Sequence, residues 1–473
     1  MDNLIEMSEY MFKKMINIHM IGIGGIGMSG IAELLINLGY NISGSDVVSS
    51  STIERLEKMG AKIYIGHSAS NIGNADLVVV SSAIKSDNDE MKAAKEKRIP
   101  VIQRAEMLAE LMRLKYGIAV AGAHGKTTTT SMISTVLADA NLDPTIVIGG
   151  KLIAIGTNAK LGKGDFIVVE ADESDKSFLK LNPIFEVITN IDKEHMDTYH
   201  SMEEIEKSFE EFVNKVPFYG AIIACIDDKI IEKLLSKIEK RVITYGASAQ
   251  ADYTATDIAL KGFESEYTLI YKGKIIDTVR LRVPGLHNIK NSLATIALAR
   301  YLDVPFEKII WSLANFQGVE RRFHLKGKWD TIMLIDDYAH HPTEIKAVIE
   351  TAKRSFNKKI ITVFQPHRYT RTVSLYREFA DILIQSNIVI ITEIYPASEK
   401  PIEGVSSKLI LDEMIKKNYD KCYYAEKLTD IPQMLRKYLS PDSIVLTVGA
   451  GNLPGIHKQI IEVIEDYVSN EKS

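Results

Sequence analysis

The 473-residue sequence predicts three α/β domains in series, and three observations carry that expectation. Short β-branched runs alternate with helix-length stretches along the chain, the pattern of parallel sheets with crossover helices. Twice an apolar strand passes through a glycine turn straight into a helix, in "IHMIGIGGIGMSGIAELL" from Ile18 and in "YGIAVAGAHGKTTTT" from Tyr116. Finally, at roughly 100–200 residues per domain, the length suits about three domains.

The elements follow in order. Through Tyr116 they read "NIHMIGI", "SGIAELLINLG", "YNISGSD", "TIERLEKMG", "KIYIG", "ADLVVVSSAI" and "MKAAKEKR", strand and helix in turn. A second unit opens at "YGIAVAG", continues through the strands "DFIVVEAD" and "FEVITNID", and ends near Phe323. The third proceeds from "TIMLIDDYAHHPTEIKAVIETA" through "KKIITVFQPHR", "NIVIITEIY" and "SIVLTVGAGN". The expected domains are therefore 1–116, 117–323 and 324–473.

Composition excludes several classes. A net charge of -5 and a pI near 6.2 leave no basic footprint for nucleic acid. Two distant cysteines, Cys225 and Cys422, give neither a disulfide framework nor a thiolate metal site, which suits a reducing cytoplasm. No run approaches the roughly 18 apolar residues of a membrane span, and "MDNLIEMSEYMFKKM" has no apolar signal core. Neither a membrane segment nor a signal peptide is expected.

Two glycine loops carry the chemistry. In the first, Gly22, Gly24 and Gly27 fit G-x-G-x-x-G, and Asp46 follows at the distance of a ribose-binding acid. Taken alone it reads as the nicotinamide site of an oxidoreductase. The second, Gly122 to Thr130, combines a buried strand, glycines, a lysine and a following hydroxyl. Lys126 would lie along the β- and γ-phosphates and Thr127 would reach Mg²⁺. The loop is a variant, because Val120 stands where the first glycine is expected. By itself it leaves open a non-catalytic nucleotide switch.

Metal ligands are expected at the carboxyl ends of neighbouring strands. "DFIVVEADESD" supplies Glu170, Asp172, Glu173 and Asp175; "TNIDKEHMDTYH" supplies Asn190, Asp192, His195 and Asp197. Glu170 is the natural Mg²⁺ ligand, and His195 is a less usual one. Asp175 and Asp192 read as solvated turn residues.

"GAHGKTTTT", "EADESD", "TNID..HMDTY", "GLHNIKN", "ERRF", "DDYAHHPTE" and "QPHRYTRT", in this order, resemble the Mur ligase family over almost the whole chain. The resemblance implies a Rossmann-like N-terminal domain for a UDP-sugar, a central P-loop ATPase domain with a parallel sheet, and a C-terminal Rossmann-like domain. It implies ATP-dependent joining of L-alanine to the lactyl carboxylate of UDP-N-acetylmuramate through an acyl phosphate, in peptidoglycan precursor synthesis, with Mg²⁺. A sister reaction attaching a recycled murein peptide stays open.

Site residues carry over by motif. Gly24, Gly25, Gly27, Asp46, His67 and Ser82 would hold the UDP-sugar. Gly122, Ala123, His124, Gly125, Lys126, Thr127 and Thr128 would hold ATP, with His287, Asn288 and Asn291 toward the adenine and Arg322 and Asp337 completing the set. Thr127, Glu170 and His195 would hold the metal. Tyr338, His340, Arg368 and Arg371 would take the amino acid, with His341 and His367 structural. Catalysis would fall to Lys126, His195, Arg368 and Arg371.

Overall fold

The computed structural model describes residues 16–149, 158–196, 198–397 and 399–471. Its first sheet holds β1 (Asn17–Ile21), β2 (Asn41–Asp46), β3 (Lys62–Ile65), β4 (Leu77–Val80) and β5 (Val101–Gln103), all parallel in the order β3-β2-β1-β4-β5. The order changes direction at β1, so the loops leaving β1 and β4 flank a crevice at the carboxyl edge. Helix Ile26–Asn37 rises directly from the glycine loop and stops at Gly39, whose φ of +92° suits the left-handed residue after a helix.

The second sheet adds β6 (Tyr116–Ala121), β7 (Thr145–Val147), β8 (Ala159–Lys160), β9 (Phe166–Glu170), β10 (Phe185–Ile188), β11 (Ala221–Cys225), β12 (Val242–Gly246), β13 (Tyr253–Lys261), β14 (Glu264–Tyr271) and β15 (Lys274–Leu281). Its order is β15-β14-β13-β12-β11-β10-β6-β9-β7-β8, parallel from β13 to β7 with β8 antiparallel. β6 lies between β10 and β9, which sets the second glycine loop between two acidic strand ends.

Helix Lys126–Asp139 follows that loop and is nearly all buried. A run of four threonines and a serine is a poor helix former because hydroxyls compete for backbone groups. Here the competition is resolved inside the helix: Thr130 Oγ1 donates to Lys126 O (2.9 Å), Ser131 Oγ to Thr127 O (2.7 Å) and Thr135 Oγ1 to Ser131 O (2.8 Å). The hydroxyls of Thr130, Ser131 and Thr135 are satisfied in this way, whereas that of buried Thr129 has no hydrogen-bond partner.

The third sheet comprises β16 (His324–Trp329), β17 (Ile332–Asp337), β18 (Lys359–Phe364), β19 (Ile388–Thr392), β20 (Cys422–Ala425) and β21 (Ser443–Val448), ordered β16-β17-β21-β18-β19-β20. All pairs are parallel except the hairpin β16–β17, whose turn places Asp330 at φ +56°. Both faces are covered. Met333 and Ile335 enter one apolar cluster while Ile332 and Leu334 enter the other, as expected for a largely parallel sheet packed on two sides.

The chain divides into two compact units, the first made of 1–256, 268–279 and 290–316 and the second of 257–267, 280–289 and 317–473. Among the described residues no helix is long and apolar enough to cross a membrane. The two cysteines are separate, buried thiols.

Candidate active site

In the first unit the UDP-sugar residues expected from the sequence gather at one sheet edge. Gly24 belongs to the loop after β1, Asp46 ends β2, His67 follows β3 and Ser82 follows β4, where it is exposed. Gly24 N donates to Asp46 Oδ2 at 2.9 Å, so the acid caps the glycine loop. Gly27 lies under Arg104: a Cβ there would fall 3.1 Å from a guanidinium nitrogen. The same guanidinium reaches Asp172 Oδ2 at 3.7 Å. Sequence reading passed over Arg104.

The second glycine loop is built tightly. Gly122 has φ +127°, and a Cβ on it would collide with Thr189 at the end of β10. Gly125 caps the helix at φ +82°, with room for a Cβ closed by Asn291 Oδ1 at 2.8 Å. Asn291 is thus buried against the second glycine loop. Ala123 N donates to Asn190 O (3.0 Å) and His124 N to Asn190 Oδ1 (2.9 Å). Asp192 is not the solvated turn residue expected, since it meets His124 Nε2 at 2.9 Å. Asp175 is exposed, as a turn residue should be. Thr128 is buried just inside the helix.

Lys126 Nζ donates to Gly122 O (2.6 Å), Ala123 O (3.1 Å) and Glu173 Oε1 (2.9 Å). Burial works against its charge, but Glu173, Glu170 and Asp172 outweigh it and hold the ammonium firmly protonated. Thr127 Oγ1 donates to Glu170 Oε1 at 3.0 Å, and Gly149 N to Glu170 Oε2 at 2.8 Å. His195, at φ +55°, faces a different pair: its Nε2 is 3.5 Å from Glu173 and 3.7 Å from Glu194. Burial disfavours its charge, yet those carboxylates raise its pKa. Of the three expected metal residues, Thr127 pairs with Glu170, while His195 joins Glu173 and Glu194 in a trio whose ligand atoms lie close enough to hold an ion. Asp197 lies outside the described residues. Lys207, whose place in a metal site the sequence left open, is exposed on helix Met202–Val213.

Glu173 is the residue that the sequence named in the acidic run but did not single out. Its carboxylate is 3 % exposed, joins Lys126 to the His195 group, and keeps Oε2 without a hydrogen-bond partner. Tyr199 OH fixes its carbonyl at 2.7 Å. A buried orphan oxygen beside a hydroxyl–carboxylate pair, under a glycine cradle closed to any side chain, fits a hard divalent cation and phosphate oxygens.

The second unit collects its own cluster. Arg322 and Arg321 lie over the Tyr338 ring at 5.5 and 4.8 Å, and Arg322 reaches Glu344 at 3.6 Å. His340 stands edge-on to Tyr338 and 5.6 Å from His367. Arg371 approaches His367 Nδ1 at 3.3 Å. Burial drives His340 down to about 3 and, with Arg371 and Arg368, His367 to about 4, so both rings are neutral. Arg368 caps helix Tyr369–Leu383 at φ +71°, a conformation uncommon outside glycine. His341 caps helix Pro342–Ser355, and His367 sits within the cluster. Asp337 has both oxygens taken by Phe323 N and Ala339 N at 2.7 Å, and burial raises its pKa to about 6. His287 is buried with its pKa lowered to about 4, by burial and then by Arg322. Asn288 is buried, donating to Pro284 O at 2.7 Å.

Three family profiles match in succession: Mur ligase family, catalytic domain, over residues 17–116; Mur ligase middle domain over 120–299; and Mur ligase, glutamate ligase domain, over 321–451. The chain belongs to the Mur ligase family. This Mur ligase is 50% identical over 456 residues to a UDP-N-acetylmuramate-L-alanine ligase of Geotalea daltonii, covering 96% of this chain and 100% of that one. It is 51% identical over 444 residues to the enzyme of the same name from Geobacter sp. strain M21, covering 94% and 96%. Among solved structures, the UDP-N-acetylmuramate-alanine ligase MurC of Thermotoga maritima superposes with a TM-score of 0.80 at 31% identity, over 95% of this chain and 99% of that one. A murein peptide ligase of Psychrobacter arcticus shares the fold, with a TM-score of 0.70 at 24% identity, over 95% and 98%. The three-domain α/β fold of the Mur ligase thus matches the fold expected from its sequence.

Proposed function

We propose that this Mur ligase joins L-alanine to the lactyl carboxylate of UDP-N-acetylmuramate at the expense of ATP, in peptidoglycan precursor synthesis in the cytoplasm. The observation that carries the ATP half is the convergence of the glycine cradle, Lys126, Thr127 and two acidic strand ends. The names of relatives about half identical over nearly the full length supply the substrates.

On this reading residues 1–116 hold the UDP-sugar, 117–323 the nucleotide and 324–473 the amino acid. ATP would bind on the Gly122–Thr128 loop, and Mg²⁺ on Thr127 and Glu170, with His195 in an adjoining group; the γ-phosphoryl of ATP would pass to the lactyl carboxylate with release of ADP, and the amine of alanine would then displace phosphate from the acyl phosphate. Lys126 holds positive charge where phosphate charge develops. Arg371 offers a planar fork to the carboxylate of alanine, with Arg368 beside it. Tyr338 and the neutral His340 line the approach of the amine. No enzyme nucleophile is needed, so catalysis rests on positioning and charge.

A coupled phosphate-release assay with UDP-N-acetylmuramate and ATP tests the reading. Release that depends on L-alanine, and vanishes in Lys126→Ala while UDP-sugar binding persists, is the expected result. Release that depends on the recycled murein peptide and ignores alanine would favour the sister reaction.

A further inference from the structure

Beneath the first glycine loop lies a polar cluster that no site residue so far explains. Glu90, in the first turn of helix Asp89–Glu96, is wholly buried. Its Oε2 accepts from Ser45 Oγ at 2.5 Å and meets His67 Nδ1 at 3.2 Å; its Oε1 accepts from Asn71 Nδ2 at 2.6 Å and Ser68 N at 3.4 Å. Buried His19 brings Nε2 to 3.7 Å of the same carboxylate. Burial alone would neutralise the acid, but the His19, Ser45 and Asn71 contacts overcome it and keep the group at about 2.

The hydrogen-bond bookkeeping decides the role of His67 Nδ1. The single proton of Ser45 goes to the carboxylate, so Ser45 Oγ, 3.0 Å from His67 Nδ1, is left as an acceptor. An ionised carboxylate only accepts. Nδ1 must then carry a proton, and in the neutral form of the ring Nε2 keeps its lone pair for a ligand. We propose that Glu90 is a positioning residue for UDP-sugar recognition: it fixes the His67 tautomer so that Nε2 accepts from a donor group of the nucleotide-sugar, a hydroxyl or imide N–H. This rests on the reading that His67 belongs to the UDP-sugar site.

Glu90→Gln tests it with little change of shape. Asn71 retains the amide oxygen, the new NH₂ faces Ser45 and His67, and the ring must switch its proton to Nε2. The KM for UDP-N-acetylmuramate should rise about tenfold, the usual scale for losing a partner that orients a histidine, with the KM values for ATP and alanine within about twofold. His67→Ala should cost a similar factor, and Glu90→Gln added to it should cost nothing further, because the two act as one unit. ¹⁵N shifts of the His67 ring should report a protonated Nδ1 in the native chain. An additive double variant overturns the proposal, as does a bare Nδ1 in the native chain, which needs no variant to fold. If the ring is protonated as stated but His67→Ala leaves the UDP-sugar KM unmoved, the site reading is wrong and the proposal falls with it.

Discussion

Lys126 meets three internal acceptors before any phosphate arrives, two carbonyls and the Glu173 carboxylate. Nucleotide affinity at this residue is therefore a difference between two sets of acceptors. Replacing Glu173 by Gln keeps the shape and weakens the internal set, since a charge-assisted hydrogen bond is about twice as strong as a neutral one. It also removes a negative charge from the neighbourhood of the phosphates. ATP should bind about fivefold more tightly to Glu173→Gln, measured by titration calorimetry without added metal; weaker binding would mean that Glu173 holds the lysine in its productive place. Sequence could not single out Glu173, because in "EADESD" four carboxylates follow one another and only the path of the loop decides which turns inward. Lys126 and Glu170 were legible for the opposite reason: each is tied by spacing to a strand end.

Among the elements, the glycine loops and the helices they open were readable, because a buried strand meeting glycine admits few continuations. Gly125 shows how narrow the choice is. Alanine there must adopt φ near +82° and place its Cβ 2.8 Å from Asn291 Oδ1. A left-handed side-chain-bearing residue costs roughly 1–2 kcal/mol, so Gly125→Ala should lower the thermal midpoint and raise the KM for ATP. Gly39→Ala is the control, because its φ is +92° with nothing within 4 Å of the added Cβ. It should lose comparable stability and leave the ATP constant alone; equal effects on ATP would put the loop's role in doubt. Strands β13 to β15 escaped the sequence reading. β13 and β15 expose their residues in blocks, so neither period 2 nor a continuous apolar run marks them, whereas β14 does alternate, burying Ser265, Tyr267 and Leu269, and that signal went unread.

For the whole molecule, the order of strands and helices revealed three α/β domains, whereas the compact units number two. Contact density depends on how sheets are covered, which periodicity along the chain does not encode. The division of labour is testable across those units, with Lys126 in the first and Arg371 in the second. Arg371→Lys keeps the charge and loses the fork that matches a carboxylate. The KM for alanine should rise about ten- to hundredfold, the equivalent of roughly 1.5–3 kcal/mol for a charged hydrogen bond, with the KM values for ATP and UDP-N-acetylmuramate much less altered. An equal change in the ATP constant would assign the arginine to the phosphates instead.

Arg104 joins the two glycine loops through charge. Its guanidinium rests on Gly27 and faces Asp172, and the pKa of Asp172, which burial would raise, is held down by Ser174, Lys126 and Arg104. A ligand that draws Arg104 toward the first loop alters the field felt by Lys126 on the second. Thermodynamic linkage then requires reciprocity: the factor by which ATP changes UDP-sugar affinity equals the factor by which the UDP-sugar changes ATP affinity. In Arg104→Ala that factor should move toward one by the same amount whichever ligand is titrated first. A factor left unchanged would mean that the two loops recognise their ligands independently.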